Sequence, residues 1–155
     1  MIQKKNLSKA YVAAIFLLLI IISLAAAIIY ENNKKEITRI IKINLDTKVE
    51  KNLNWKFSTK NNFIDAKIGK VYKIDFNVEN YSSEETSGKA IYEVKPNFLN
   101  KYFVEIDCFC YKKQTLLPSE KSTYSITFYI DPKILSDFKA NDIKDINISY
   151  TFLNT

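Results

Sequence analysis

Residues 10–30 form a run of 21 positions without a charge, interrupted by one hydroxyl, Ser23, and this run constrains the chain more than any other feature. As a helix rising ~1.5 Å per residue it would reach about 31 Å, the thickness of a bilayer's hydrocarbon core. Tyr11 and Tyr30 stand at its two ends, where interfacial aromatic belts lie. Ala25-Ala26-Ala27 offers the small-residue pattern of a secretory cleavage site, but the apolar stretch of a leader runs about 7–15 residues. Here it continues through Ile28 and Ile29, so an uncleaved anchor is expected. Residues 1–9 carry Lys4, Lys5 and Lys9, and residues 31–45 carry Lys34, Lys35, Arg39 and Lys42 against Glu31 and Glu36. The Lys/Arg count therefore sets no orientation. A nine-residue head is too short to hold the folded part, so the folded domain is expected after the helix and outside the cytoplasm. The expected organisation is a cytoplasmic head at 1–9, a transmembrane helix at 10–30, a polar tether at 31–36 and a folded domain at 37–155.

Several chemistries are excluded by what the chain lacks. It contains no histidine, so it can build no Ser-His-Asp triad, no histidine base and no His-ligated zinc or iron site. Two glycines, Gly69 and Gly88, cannot make a phosphate-binding loop. The net charge of +6 would point to nucleic acid if it clustered. Half of it sits in the head, and beyond residue 30 the balance is 20 basic against 17 acidic residues, interleaved as in Lys73, Asp75 and Glu79. No nucleic-acid partner is expected.

Beyond the tether the hydrophobic period is two. Tyr72, Ile74, Phe76 and Val78 alternate with polar residues, as do Ala90, Tyr92 and Val94. The same pattern marks Tyr124, Ile126, Phe128 and Ile130, and Ile146, Ile148, Tyr150 and Phe152. Further strands are expected at 38–45, near 55–57 and at 102–111, and two helical turns at 132–138. Six or seven short strands with frequent turn signals predict an all-β antiparallel sandwich, with Trp55 as a core anchor.

Cys108-Phe109-Cys110 holds the cysteine chemistry. In a strand, residues two apart point to one face, with Cα atoms about 6.6 Å apart at a rise of ~3.3 Å. That spacing admits a disulfide only with a bulge or strain, since bridges favour roughly 5.5–6 Å. Two parallel thiolates suit a soft ion such as Cu(I), whereas zinc normally takes four ligands. The pair also continues the alternating set Val104 and Ile106, so inert core thiols fit the same spacing. The acidic neighbours Glu105 and Asp107 disfavour a low-pKa nucleophilic thiol. Phe109 is expected on the opposite face, either packed inside or presented to a partner.

The stretch from Tyr102 to Tyr111, followed by Gln114, Leu116, Pro118 and Glu120 and then Phe128-Tyr129-Ile130-Asp131-Pro132, carries a resemblance. Trp55-Lys56-Phe57, Asn80-Tyr81-Ser82, Ser87-Gly88-Lys89-Ala90-Ile91-Tyr92, Val94 with Pro96, and Ile148-Ser149-Tyr150-Thr151-Phe152 extend it. Over about residues 37–153 the chain resembles the copper-delivery assembly proteins of cytochrome c oxidase, the CtaG family. The resemblance implies a single-pass protein of the bacterial inner membrane with an immunoglobulin-like periplasmic domain, and no enzymatic activity. It implies Cu(I) held by Cys108 and Cys110, commonly in a homodimer sharing the metal, and delivery to the copper B centre of oxidase subunit I. The chain departs from the family pattern in four places. Residues 30–42 hold no juxtamembrane cysteine, Tyr124 stands where a methionine is usual, Asp107 replaces a glutamine, and Ser119 replaces a turn glycine. The contrasting expectation is a tethered sandwich acting as an assembly scaffold, with cysteines that bind no metal.

Overall fold

The computed structural model describes residues 3–37 and 39–155. Thr38, the first residue of the strand expected at 38–45, lies outside the described residues. The chain divides into two compact units, Met1–Thr38 and Arg39–Thr155.

The first unit is a single helix, α1 (Gln3–Ile37), of 35 residues. Its segment Lys9–Asn32 is 24 residues long, apolar and exposed throughout. At ~1.5 Å per residue that segment measures about 36 Å, enough to cross a bilayer. A helical segment this long and apolar on every side suits lipid rather than water. Residues 31–36, expected as a tether, are helical instead. The segment contains neither Gly nor Pro, and its Lys and Glu residues favour helix.

The second unit holds nine strands: β1 (Ile40–Val49), β2 (Trp55–Thr59), β3 (Phe63–Lys67), β4 (Tyr72–Asn80), β5 (Thr86–Lys95), β6 (Phe103–Cys108), β7 (Lys113–Leu116), β8 (Lys121–Ile130) and β9 (Asp145–Asn154). One sheet runs β3-β1-β9-β5-β7 and the other β2-β4-β8-β6. All pairings are antiparallel except β1 with β9. The fold class is the expected one, an immunoglobulin-like all-β sandwich preceded by one apolar helix.

Alternation in the sequence becomes alternation in burial. Ile74, Phe76 and Val78 are buried while Lys73, Asp75 and Asn77 face water, and Ile146, Ile148, Tyr150 and Phe152 repeat this along β9. Trp55 is buried as expected, its ring 5.0 Å from that of Phe152 and its Nε1–H donating to Thr86 Oγ1 at 2.8 Å. Gly88 permits this packing, because a Cβ there would lie 2.8 Å from Leu53 Cδ2 and 3.1 Å from Trp55 Cζ3. At the start of the domain, the Arg39 guanidinium donates to the carbonyls of Ala140 and Ile143, each at 2.6 Å.

Within the sandwich the structure also differs from the sequence reading in its shorter elements. β3 and β7 were not anticipated. Each is short, β3 with its apolar residues adjacent rather than alternating and β7 mostly polar, so neither shows a clear period of two. A 3-10 turn at Asn97–Tyr102 was also not anticipated. The helical stretch at 132–138 is two 3-10 turns, Pro132–Ser136 and Phe138–Ala140, because Asp131 and Asp137 each accept from the backbone N–H two residues on. Ser119 adopts φ 61°, the left-handed conformation that glycine enters without penalty.

Candidate metal centre

The strand expected at 102–111 begins one residue later and ends at Cys108, and the reason lies in the topology. β6 is the edge strand of one sheet and β7 the edge strand of the other. Residues 109–112 form the turn that crosses between them. A segment leaving one sheet for the other passes through the interior, so Phe109 and Cys110 are both buried although they are adjacent. No strand of period two can bury two neighbours. Tyr111 closes the turn with φ 63°, a left-handed conformation that costs a non-glycine residue roughly 1–2 kcal/mol. Its N–H donates to the Ala90 carbonyl at 2.9 Å, which ties the turn to β5.

Phe109 packs inside rather than facing a partner. It is 7% exposed, and its ring lies 5.3 Å from Tyr124, 5.8 Å from Phe76 and 5.8 Å from Phe152. Tyr124 is thus a stacking partner in this aromatic core. The middle residue of the Cys-Phe-Cys motif anchors both cysteines to the sandwich.

A second local feature sets which side chains meet the sulfurs. β6 pairs with β8 as Glu105↔Phe128, Asp107↔Thr127 and Cys108↔Ile126, so Ile106 is an extra residue with no partner. Without this bulge, residues 105 and 108 would point to opposite faces. With it, Glu105 and Cys108 oppose the buried Phe128 and Ile126 and share the inner face. Ile106 is pushed out and is 58% exposed, which corrects the expected inward set of Val104 and Ile106. Asp107 is exposed as well, so only one of the two acidic neighbours approaches the cysteines.

The resulting cluster is Glu105, Cys108 and Cys110, whose donor atoms all lie within 4.8 Å of one another. Cys110 is buried and Cys108 partly exposed, so solvent reaches the pair through Cys108. The two sulfurs are joined as a disulfide across Cα atoms 5.1 Å apart, closer than an extended strand would hold them. The Cys110 N–H also approaches Cys108 Sγ at 3.1 Å.

Glu105 was noted in the sequence only as an acidic neighbour. Its Oε1 is buried without a hydrogen-bond partner among the described residues, as is the hydroxyl of Tyr150. Burial raises the Glu105 carboxyl above its usual range. The same burial, with Glu105 and Tyr111 nearby, pushes the Tyr92 phenol up to about 12. Tyr150 is raised further still, by burial first and then by Glu105, Tyr92 and Tyr111. One carboxylate and two sulfurs therefore converge at the β6–β7 edge, with the Tyr92 phenol beside the carboxylate. The sulfurs are soft donors suited to Cu(I), so the residues fit such an ion once the pair is reduced.

Comparison with known proteins gives these features a context. A family model described as cytochrome c oxidase assembly protein CtaG/Cox11 matches residues 22–154. The protein named cytochrome c oxidase assembly protein CtaG in Ehrlichia ruminantium is 40% identical over 112 residues, 72% of this chain and 63% of that protein. The proteins of the same name in Bradyrhizobium diazoefficiens and Nitrobacter hamburgensis are 37% and 34% identical over 116 residues, 75% of this chain and 54% of each relative. The chain thus spans between about half and two thirds of the length of these relatives. With its apolar helix, its two-sheet domain and a match over most of its length, the chain belongs to the cytochrome c oxidase assembly protein CtaG/Cox11 family.

Proposed function

We propose that this protein is a membrane-anchored Cu(I) chaperone that delivers copper to the copper B centre of cytochrome c oxidase subunit I during assembly. The observation that carries the reading is the placement of Cys108 and Cys110. Cys108 ends β6 and Cys110 sits on the following turn, which a core aromatic fixes at the lateral edge where the two sheets part. A dithiol reductant supplies the two electrons and two protons that open the pair and is itself oxidised to a disulfide, and each cysteine thiol gives up its proton on binding the ion. Two thiolates hold Cu(I) at low coordination, leaving room for an incoming ligand of the target to compete. Transfer by ligand exchange needs no acid–base residue, which agrees with a chain that has no histidine. The partly exposed Cys108 is the sulfur an acceptor reaches first. In this reading α1 spans the inner membrane with the head in the cytoplasm and the sandwich in the periplasm. A second copy of the chain supplies two more sulfurs, so the copper-loaded form is a homodimer.

The test is Cu(I) stoichiometry on the full chain in detergent micelles, reduced and anaerobic, beside Cys108→Ser/Cys110→Ser. About one Cu(I) per chain in the wild type, lost in the folded double variant, is expected. Equal binding by the two would leave a scaffold whose cysteines are structural.

A further inference from the structure

Glu105 has no part in a copper site made of two sulfurs, yet the fold takes trouble to bring it there. The bulge at Ile106 turns its carboxylate onto the face of Cys108, and one carboxylate oxygen lies within 4.8 Å of both sulfurs. Its Oε1 is buried and has no hydrogen-bond partner among the described residues. Buried polar atoms almost always have partners. A buried, unpartnered carboxylate oxygen on a residue grouped with two sulfurs describes a set of donors open to a positive charge.

The type of ion follows from charge and donor chemistry. Two thiolates and a carboxylate carry three negative charges. Cu(I) would leave two of them uncompensated, and its preference for sulfur leaves the carboxylate without a role. A divalent ion leaves one. Zn(II) takes thiolate at ~2.3 Å and carboxylate at ~2.0–2.2 Å, and a tetrahedral set at those lengths places neighbouring donors roughly 3.5–3.8 Å apart. The three donors lie within 4.8 Å of one another, and reduction of the disulfide frees the two sulfurs to move apart to that spacing. Three protein donors and one open position are the pattern of an exchangeable zinc site rather than of a closed structural one.

We infer that Glu105, Cys108 and Cys110, with the cysteines reduced, form a three-donor site for a divalent ion of the zinc type. Glu105 therefore sets metal selectivity at the edge where Cu(I) is proposed to bind. Occupation by Zn(II) blocks Cu(I) loading, and loss of the carboxylate favours Cu(I). The three-donor site itself goes beyond the copper reading and does not depend on it, whereas the selectivity against Cu(I) rests on that reading.

The experiment uses the full chain in detergent micelles, reduced anaerobically with a water-soluble phosphine, which supplies the two electrons. Co(II) is titrated as the probe, and thiolate-to-cobalt charge-transfer and tetrahedral ligand-field bands are followed. Zn(II) is then added and should bleach both. Glu105→Gln keeps shape and removes the charge, and Glu105→Asp keeps the charge and withdraws the oxygen. Both should weaken Co(II) binding by more than about tenfold, a loss that even outer-layer partners of a metal site can produce. Cu(I) stoichiometry at Cys108 and Cys110 should be unchanged in both, and Zn(II) should inhibit Cu(I) loading in the wild type only. The fluorescence of Trp55, the single tryptophan, reports folding, and if one variant does not fold the other is read alone. Wild-type affinity for Co(II) in a folded variant, or no tetrahedral cobalt in the wild type, overturns the inference. Absence of Cu(I) binding with normal Co(II) binding overturns the copper reading alone.

Discussion

Phe109→Ala separates a core anchor from a surface recognition residue at the middle of the Cys-Phe-Cys motif. The ring is 7% exposed and has five aromatic neighbours, with centroids 5.3–6.4 Å away in Phe57, Phe76, Tyr124, Tyr150 and Phe152. Truncating a phenylalanine in such a setting costs about 3–5 kcal/mol, from lost transfer free energy and the cavity left behind. A domain of this size has a total stability of roughly 5–15 kcal/mol, so the loss is a large share of it. Were the ring a solvent-exposed contact for a partner, the change would stay within about 0.5 kcal/mol. The two readings thus differ by about sixfold or more in one measurement. Urea unfolding of the full chain in micelles, followed by Trp55 fluorescence under reducing conditions, makes it. With a slope of about 2 kcal/mol/M the midpoint should fall by about 1.5–2.5 M. Phe109→Leu, which nearly conserves volume, should cost less than about 1.5 kcal/mol. An unmoved midpoint for Phe109→Ala would refute the anchoring role, and with it the argument that core packing positions both sulfurs.

Three further outcomes follow from the same geometry. Glu105 is held above its usual pKa by burial, so its ionised form opposes folding. That penalty is absent below the unfolded carboxylate range and grows as pH rises through it. Glu105→Gln should therefore raise the urea midpoint at neutral pH and lose its advantage at acid pH, and a pH-independent difference would contradict the cause given. Deletion of Ile106 removes only the unpaired residue of the bulge, so Glu105↔Phe128 and Cys108↔Ile126 can both persist in a regular strand. The shortened chain should keep its fold and its Co(II) bands, whereas loss of either would show that the bulge does more than set the phase. Asn80 is fully buried and donates to the carbonyls of Glu84, Leu116 and Leu117 at 2.9–3.1 Å. Asn80→Ala should cost about 1–3 kcal/mol by stranding those acceptors, and Asn80→Asp more, because it aims a carboxylate at them. Near-wild-type thermal stability of Asn80→Asp would refute this.

The sandwich was legible because its long strands each bury one face. In β4, β8 and β9 the inward residues are Ile, Phe, Val and Tyr at every second position, and one period describes each strand from end to end. The apolar helix was legible for the simpler reason that no charge interrupts it. β3 and β7 were not, since edge strands of four or five residues are stabilised by pairing with β1 and β5 and leave little hydrophobic pattern of their own. The register of β6 was also hidden. Val104, Ile106, Cys108 and Cys110 satisfy an alternating pattern on paper, but pairing with β8 inserts Ile106 as a bulge and reverses the phase in the middle of the strand. No local property of Ile106 announces this. The signal lies in β8, whose inward Ile126 and Phe128 must face inward partners.

The site is therefore a product of two departures from strand geometry that stand close together. The bulge changes which side chains upstream of Cys108 look inward, and the crossover makes both residues downstream of it interior. Without the bulge Glu105 would face away from Cys108, and without the crossover Phe109 would turn out of the interior while Cys108 and Cys110 stayed on one face of an ordinary edge strand. Combined, they place one carboxylate and two sulfurs at the seam between sheets, with Phe109 held by rings from β2, β4, β8 and β9. A site built this way is as rigid as the core beneath it and as accessible as the edge above it. Such a combination suits a protein that must bind an ion firmly and still surrender it through Cys108 to a competing ligand.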